Sequence, residues 1–262
     1  YGGSITGNKA LDAQGRGGGV YVYSGSGTFN MYGGSITGNR ATGDGGGVYK
    51  SGSNSSFNMY GGSITGNTAN SYGAGVYVDG GGFTITGGTI GGTKSVDTNP
   101  ASLGGVVLSA KANFYMTGGS ITGNNAYKSD YISTFGGGVC VGSGIFTVSG
   151  EVTVTDNTKG GTKGADGKFT GDTKNNVYLP TGKTITIGTD KLSEGAQLGV
   201  TVSGDYGDYP FTSGWNANIS DKTPSDYFIS DTDGYVAKLN GSELKMVTHV
   251  HNWTYTASGD TI

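Results

Sequence analysis

Four near-identical heptapeptides recur along the chain and constrain its fold more than any other feature. The residue types of Gly2–Asn8, Gly-Gly-Ser-Ile-Thr-Gly-Asn, return at 33–39, 61–67 and 118–124. Self-similarity with a period of about 30 residues is typical of solenoids, in which each repeat forms one turn of a coil. The sequence therefore predicts a repetitive fold whose turns stack on one another.

Three short segments with alternating apolar residues lie in each repeat. The first segment starts at a valine, the second at a phenylalanine, and the third is centred on an isoleucine. The positions are Val20, Val48, Val76, Val106, Val139 and Val177; Phe29, Phe57, Phe83, Phe114, Phe146 and Ile185; and Ile5, Ile36, Ile64, Ile90, Ile121 and Val152. Alternation with period two in short runs bounded by Gly and Asn predicts strands with one buried face.

The spacing of these segments predicts the architecture. Successive first-segment valines lie 28, 28, 30, 33 and 38 residues apart. A nearly constant turn with three strands indicates an all-β fold, a right-handed single-stranded parallel β-helix of about six coils. The phenylalanines would then form one internal column and the isoleucines another. We expect a monomer.

Domain organisation follows from where the pattern stops. Residues 1–189 are predicted to form the β-helix repeats. Residues 190–248 are predicted to form a small β-rich cap, because an open coil end exposes both the core and strand edges. Within the cap, Asn-Gly at 240–241 predicts a hairpin turn. Residues 249–262 are interpreted as a linker or the start of a truncated following module, and the chain begins in mid-repeat, as an excised fragment would.

Composition narrows the functional classes. Of 262 residues, 55 are Gly, and they lie at fixed offsets around the apolar triplets, which favours turns over disorder. Charged residues make up 13% of the chain, the formal net charge is −3, and the only arginines are Arg16 and Arg40. We therefore expect no nucleic-acid partner. No long apolar run is present, so no membrane insertion is expected.

An asparagine closes most third segments and is predicted to sit at a turn, where Asn tolerates left-handed backbone. These residues are Asn8, Asn39, Asn67, Asn124 and Asn157. Stacked amides can hydrogen-bond from coil to coil, so the row is interpreted as a structural ladder.

The connections between third and first strands lengthen toward the C-terminus, at 92–103, 125–135 and 158–175. In a solenoid such insertions stack on one edge, which is often the binding edge. A solvated rim is the alternative.

A column of tyrosines is the candidate binding site. With the valines inward, the outward positions of the first strands include Tyr21, Tyr49, Tyr77 and Tyr178. Aromatic rows suit sugar rings, because each tyrosine offers apolar surface and a hydroxyl. The alternative is that the stacked tyrosines only stiffen the sheet. Lys50 at an inward position raises a further alternative, in which the strand is offset and the tyrosines are buried.

Catalytic and metal-binding residues are not predicted. A lyase or hydrolase site of this fold requires clustered carboxylates on an outward strand face, and none occupies the outward first-strand positions. The two histidines, His249 and His251, are too few to hold zinc. Cys140 has no basic neighbour in the sequence and is interpreted as an unreactive thiol. We therefore expect no cofactor.

The GGSITGNxA, GGGVYV and FxM blocks of residues 1–189 resemble the right-handed β-helix repeats of large surface proteins from gut Firmicutes. The stretch 176–202 resembles the way such arrays end, and the blocks are also similar to repeats of polymorphic autotransporter passengers. The resemblance implies a secreted or cell-surface bacterial protein with a structural or adhesive role. Host or microbial glycans, or surface proteins, would be its partners.

Three functional hypotheses follow. The first is a non-enzymatic stalk or adhesive face. The second is a carbohydrate-binding module that uses the tyrosine column. The third is a polysaccharide lyase or glycoside hydrolase with a site on the long-connection edge.

Overall fold

A computed structural model describes residues 2–23, 25–92, 94–95, 104–109, 111–127, 136–163, 169–204, 207–215 and 223–249. The described chain is almost entirely β-structure, as predicted. Its strands in chain order are β1 (Ser4–Thr6), β2 (Lys9–Ala10), β3 (Val20–Val22), β4 (Thr28–Met31), β5 (Ser35–Thr37), β6 (Arg40–Ala41), β7 (Val48–Ser51), β8 (Ser56–Met59), β9 (Ser63–Thr65), β10 (Thr68–Ala69), β11 (Val76–Asp79), β12 (Gly81–Ile85), β13 (Thr89–Gly91), β14 (Lys94–Ser95), β15 (Val106–Leu108), β16 (Ala112–Thr122), β17 (Asn125–Ala126), β18 (Val139–Val141), β19 (Ile145–Thr155), β20 (Thr158–Lys163), β21 (Phe169–Lys174), β22 (Val177–Leu179), β23 (Ile185–Leu192), β24 (Gln197–Val202), β25 (Thr212–Ser213), β26 (Phe228–Ser230), β27 (Tyr235–Asn240) and β28 (Glu243–Thr248). A short helix, α1 (Pro224–Tyr227), precedes β26.

Parallel strands from successive turns stack in columns, which confirms the parallel β-helix. The first-strand column runs β3–β7–β11–β15–β18–β22–β24, and the second-strand column runs β4–β8–β12–β16–β19–β23–β25. The third-strand column runs β1–β5–β9–β13–β16–β19–β24. Strands β16 and β19 have 11 residues each, because they turn a corner and serve two columns.

A fourth, short column was not predicted from the sequence. It consists of β2–β6–β10–β14–β17–β20, all parallel, and ends at β21, which pairs antiparallel with β20. Its first five members have only two residues. A segment that short shows no alternation that a sequence reading could recognise.

The interior is filled by columns of like residues, as predicted. Phe57, Phe83, Phe114 and Phe146 are fully buried, and the rings of Phe83 and Phe114 stack 4.6 Å apart at 11°. Ile185 continues this column in register with Phe146. A single turn cannot bury these side chains alone, so stability comes from contacts between neighbouring turns.

The predicted centre of the sixth third-strand segment is wrong. Ile121 pairs with Val154, whereas Val152 pairs with Gly119. The register between β16 and β19 shifts between Met116 and Gly118, because β19 carries one more residue there. An inserted residue of this kind moves every later partner along the strand.

Asparagine side chains form the predicted ladder between turns. Nδ2 of Asn39 donates to Oδ1 of Asn67 at 3.0 Å, and Nδ2 of Asn124 donates to Oδ1 of Asn157 at 2.8 Å. The expectation of left-handed backbone at the asparagines is wrong. In most turns the preceding residue is a glycine with φ of 61–66°, at Gly7, Gly38, Gly66 and Gly123. Glycine adopts this conformation without steric cost, which leaves the asparagine side chain turned inward.

Parallel stacking continues past residue 189, where the sequence pattern changes. Strand β24 pairs with both β19 and β22, and β26 pairs with β24. The predicted hairpin is confirmed, because β27 and β28 are antiparallel, but its turn lies at 241–242, one residue beyond the predicted Asn-Gly position. The predicted tail lies outside the described residues from 250 onward.

Candidate functional site

The candidate site lies on the outward side of the first-strand column. Register places one outward residue per turn in a single line, here called the outward row. Its members are Tyr21, Tyr49, Tyr77, Val107, Cys140, Tyr178 and Thr201. All four predicted tyrosines therefore belong to one row, with Val107 and Cys140 between Tyr77 and Tyr178.

The row is not an evenly exposed platform. Tyr21 is 45% exposed and Tyr77 is partly exposed, whereas Tyr49 and Tyr178 are 1% and 8% exposed. Val107, Cys140 and Tyr178 form a small apolar cluster of their own, outside the main core. The tyrosines occupy outward strand positions, as predicted, but neighbouring side chains cover two of them. Tyr49 lies between the rings of Tyr21 and Tyr77, and Tyr178 packs in the small apolar cluster.

Ring geometry limits what the row can bind. The rings of Tyr49 and Tyr77 stack at 5.4 Å and 19°, so each covers a face of the other. The ring of Tyr21 meets that of Tyr49 edge-on, with centroids 4.9 Å apart. Sugar rings pack on exposed aromatic faces. Tyr21 is therefore the member of the row best able to receive one.

A polar cluster surrounds the N-terminal end of the row. The Arg16 guanidinium carbon lies 5.1 Å from the Tyr49 ring centroid, and Arg16 Nε lies 3.6 Å from Asp44 Oδ2. The Tyr49 hydroxyl donates to Asp79 Oδ2 at 3.1 Å. Burial, reinforced by the charge of Asp79, raises the pKa of Tyr49. Burial also raises the pKa of Asp44.

Both carboxylates of this cluster already have partners. Asp44 Oδ1 accepts from the backbone N–H of Tyr72 at 3.3 Å, and Asp79 accepts from Tyr49. A general acid or base must reach the reacting group of the substrate. Their bonds instead link neighbouring turns of the coil.

Lys50 lies inward and is completely buried, yet the strand is not offset. Val48 pairs with Val76 and Lys50 with Val78, so Lys50 occupies a core position. Its Nζ donates to the carbonyl oxygens of Gly52, at 2.8 Å, and Gly80. Burial lowers the pKa of Lys50 to about 8, although the charge of Asp79 opposes the shift.

A groove of about 730 Å³ adjoins the C-terminal end of the row. Its walls come from β20–β21, the end of β24 and the residues after β26. They are Lys159, Thr173, Lys174, Tyr178, Thr201, Val202, Ser203, Gly204, Asp231, Thr232 and Asp233. Burial lowers the pKa of Lys159 and raises that of Asp231. The groove combines cations, carboxylates, hydroxyls and one tyrosine, a set suited to a polar ligand.

Sequence reasoning found only part of this groove. Tyr178 was predicted through the tyrosine column, and Lys159 and Lys174 through the long connection at 158–175. Thr201 and Asp231 were missed, because the residues after 189 carry no repeat that would place them. Most of the two earlier long connections, 92–103 and 125–135, lies outside the described residues.

The remaining candidate groups show no reactive arrangement where the structure describes them. Cys140 is buried, and burial raises the pKa of its thiol to about 12. His249 is described, whereas His251 lies outside the described residues. Within the described ranges, no three His, Cys, Asp or Glu side chains are grouped so that they could hold a metal ion. In the same part of the chain, no helix is long and apolar enough to cross a bilayer.

Comparison with family models, with curated proteins and with solved structures gives no match for this chain. Its function therefore has to be inferred from the geometry.

Proposed function

We propose that this chain is a structural segment of a bacterial protein exported to the cell surface or the medium, serving as a rigid stalk with an adhesive face. One observation carries the proposal, the stacking of like residues in register over successive turns. Ile5, Ile36, Ile64, Ile90 and Ile121 are consecutive partners in the third-strand column. Such stacking produces a rod whose length is set by the number of turns.

A scaffold role also agrees with the contacts of the charged side chains, which hold neighbouring turns together. Ion pairs and hydrogen bonds to neighbouring turns are made by Arg16, Asp44 and Asp79. Asp231 accepts a hydrogen bond from Asn176, the last amide of the asparagine ladder.

Changing the number of turns tests the stalk role. Residues 48–75 form one 28-residue repeat, since Val48 pairs with Val76. Three extra copies inserted after residue 75 should lengthen the rod by about 14 Å, because parallel strands lie about 4.8 Å apart. Small-angle X-ray scattering measures this as a longer maximum dimension at constant cross-section. Copies with scrambled sequence are the control, and an unchanged length with the native copies would contradict the proposal.

Carbohydrate binding is the second candidate function, and the groove beside Tyr178 favours it. A glycan array with the intact chain tests this role. Tyr21→Ala tests the exposed end of the outward row, and Lys159→Ala with Asp233→Ala tests the groove. Lys245→Ala, on the terminal hairpin, is the matched control. Loss of glycan binding in the groove variant alone would show that the glycan binds in the groove. If the intact chain binds no glycan on the array, carbohydrate binding is excluded as a function.

Catalysis remains the third hypothesis, with its site on the long-connection edge. Incubation with polysaccharides, with and without Ca²⁺, tests it. New reducing or unsaturated ends would replace the stalk proposal with an enzymatic one.

A further inference from the structure

The third-strand column presents two columns of hydroxyl groups to solvent, which together are called the hydroxyl face. The first column consists of Ser4, Ser35, Ser63, Thr89, Ser120 and Thr153. The second consists of Thr6, Thr37, Thr65, Thr122 and Thr155, with Gly91 in the remaining turn. Each of these hydroxyl-bearing side chains is partly or fully exposed.

The hydroxyl groups lie on a regular lattice. Strands in the column are about 4.8 Å apart, and residues two positions apart along a strand are separated by about 6.7 Å. Neighbouring hydroxyls touch within the columns, with oxygens 3.1 Å apart for Ser4 and Ser35 and 3.0 Å apart for Thr89 and Ser120. Six strands therefore carry the lattice over about 24 Å.

Glycines border this face in most turns. Gly7 and Gly38 follow the second column with φ of 66° and 65°, and an added Cβ would meet no atom within 4 Å at either position. Glycine adopts this left-handed conformation most readily, and it places no side chain at the border of the face. Asp156 takes the same position after Thr155, with φ of 57°. No charged side chain belongs to either column.

A face of this kind cannot hold a small soluble sugar. One hydroxyl–hydroxyl hydrogen bond contributes little binding free energy in water, because it replaces hydrogen bonds that both partners already make with water. The two columns themselves contain no aromatic ring on which a single sugar could pack. Many weak contacts gain affinity only when the ligand is rigid and presents its hydroxyls together.

We infer that the hydroxyl face binds the hydroxyl-bearing surface of a crystalline polysaccharide. Four members of the first column are serines, whose unbranched side chains turn to follow a lattice whose spacing differs slightly from their own. A polysaccharide crystal offers the required fixed rows of hydroxyl groups that donate and accept. The inference gives the adhesive face of the proposed stalk a ligand class, and so rests on that proposal.

Depletion from solution by microcrystalline cellulose and by crystalline chitin tests the inference. The intact chain should be depleted by at least one of them, and soluble oligosaccharides of the same sugars should not compete. Thr37→Val with Thr65→Val removes two hydroxyls and keeps side-chain shape, so retention should fall about tenfold. Thr65→Lys, which adds a protruding charged side chain without an aromatic ring, should reduce retention as well.

Thr84→Val with Thr147→Val is the matched control, because these residues face outward in the second-strand column. It should bind as the unchanged chain does, and thermal unfolding verifies that all variants are folded.

The inference is overturned if neither polysaccharide depletes the chain from solution, if the control variant loses as much binding, or if soluble oligosaccharides compete fully. Inhibition of ice recrystallisation without polysaccharide binding would also overturn the inference, because the ligand of the hydroxyl face would then be ice. A chain that scatters as a rod yet binds no crystal would lose only the ligand assignment, and the stalk role would stand.

Discussion

Asp231 closes the asparagine ladder by accepting two hydrogen bonds from Asn176, from its Nδ2 at 2.6 Å and from its backbone N–H at 2.7 Å. Asn176 in turn accepts from Nδ2 of Asn157 at 3.1 Å. Every amide in this part of the ladder therefore donates toward the C-terminal end, where a carboxylate receives the last donor. The Thr201 hydroxyl adds a third bond to Asp231 at 2.9 Å.

Two substitutions of Asp231 should show whether its hydrogen-bond acceptors or its negative charge contribute more to stability. Asp231→Ala leaves the donors of Asn176 without a partner, and we expect the free energy of unfolding to fall by about 2–4 kcal/mol. Asp231→Asn keeps an acceptor of the kind used in the other turns, and should cost no more than about 1 kcal/mol. Urea denaturation measures both. Asp233→Ala, at an exposed position nearby, is the control, and equal losses for Ala and Asn would show that the charge matters most.

The phenylalanine column should carry a large share of stability. Phe83 is fully buried, and its ring stacks on those of Phe57, at 4.9 Å, and Phe114, at 4.6 Å. Phe83→Ala should therefore cost about 3–5 kcal/mol. Thr84→Ala, one residue along and facing outward, should change stability by no more than about 0.5 kcal/mol. Chemical denaturation compares the two variants, and similar small effects would contradict the stacked core.

The sequence predicts the stacked core well, because Phe83 and its partners recur at the same place in every turn. It predicts the asparagine ladder for the same reason, but not its end. Asp231 lies 55 residues after Asn176, and no repeat connects them. The exposure of the outward row was also unpredictable. Tyr21 and Tyr49 have the same strand position, but Tyr49 is buried because its ring lies between those of Tyr21 and Tyr77.

The thiol of Cys140 should be inert in the folded protein. It is 4% exposed, and its pKa of about 12 leaves almost no thiolate near neutral pH. A chromogenic disulfide reagent at pH 8 should react with it only after urea unfolds the chain. Thr28→Cys, at an exposed strand position, should react at once and serves as the positive control. Rapid labelling of Cys140 in the native chain would contradict its buried position.

Lys50 should make stability depend on pH under alkaline conditions. Burial lowers its pKa from 10.5 to about 8 in the folded chain. Between these values the unfolded chain binds more protons than the folded chain, so the free energy of unfolding rises with pH across this window. Below about pH 8 the folded chain bears the full cost of a buried ammonium group.

Lys50→Met removes this titration while it keeps an unbranched side chain in the core. Other groups titrate in both proteins, so the informative quantity is the difference in stability between wild type and variant. Urea denaturation at pH 7, 8, 9 and 10 should show the wild type gaining stability relative to Lys50→Met as pH rises. Parallel pH profiles would mean that the ammonium bonds to Gly52 and Gly80 offset its loss of hydration, leaving the pKa of Lys50 near its ordinary value.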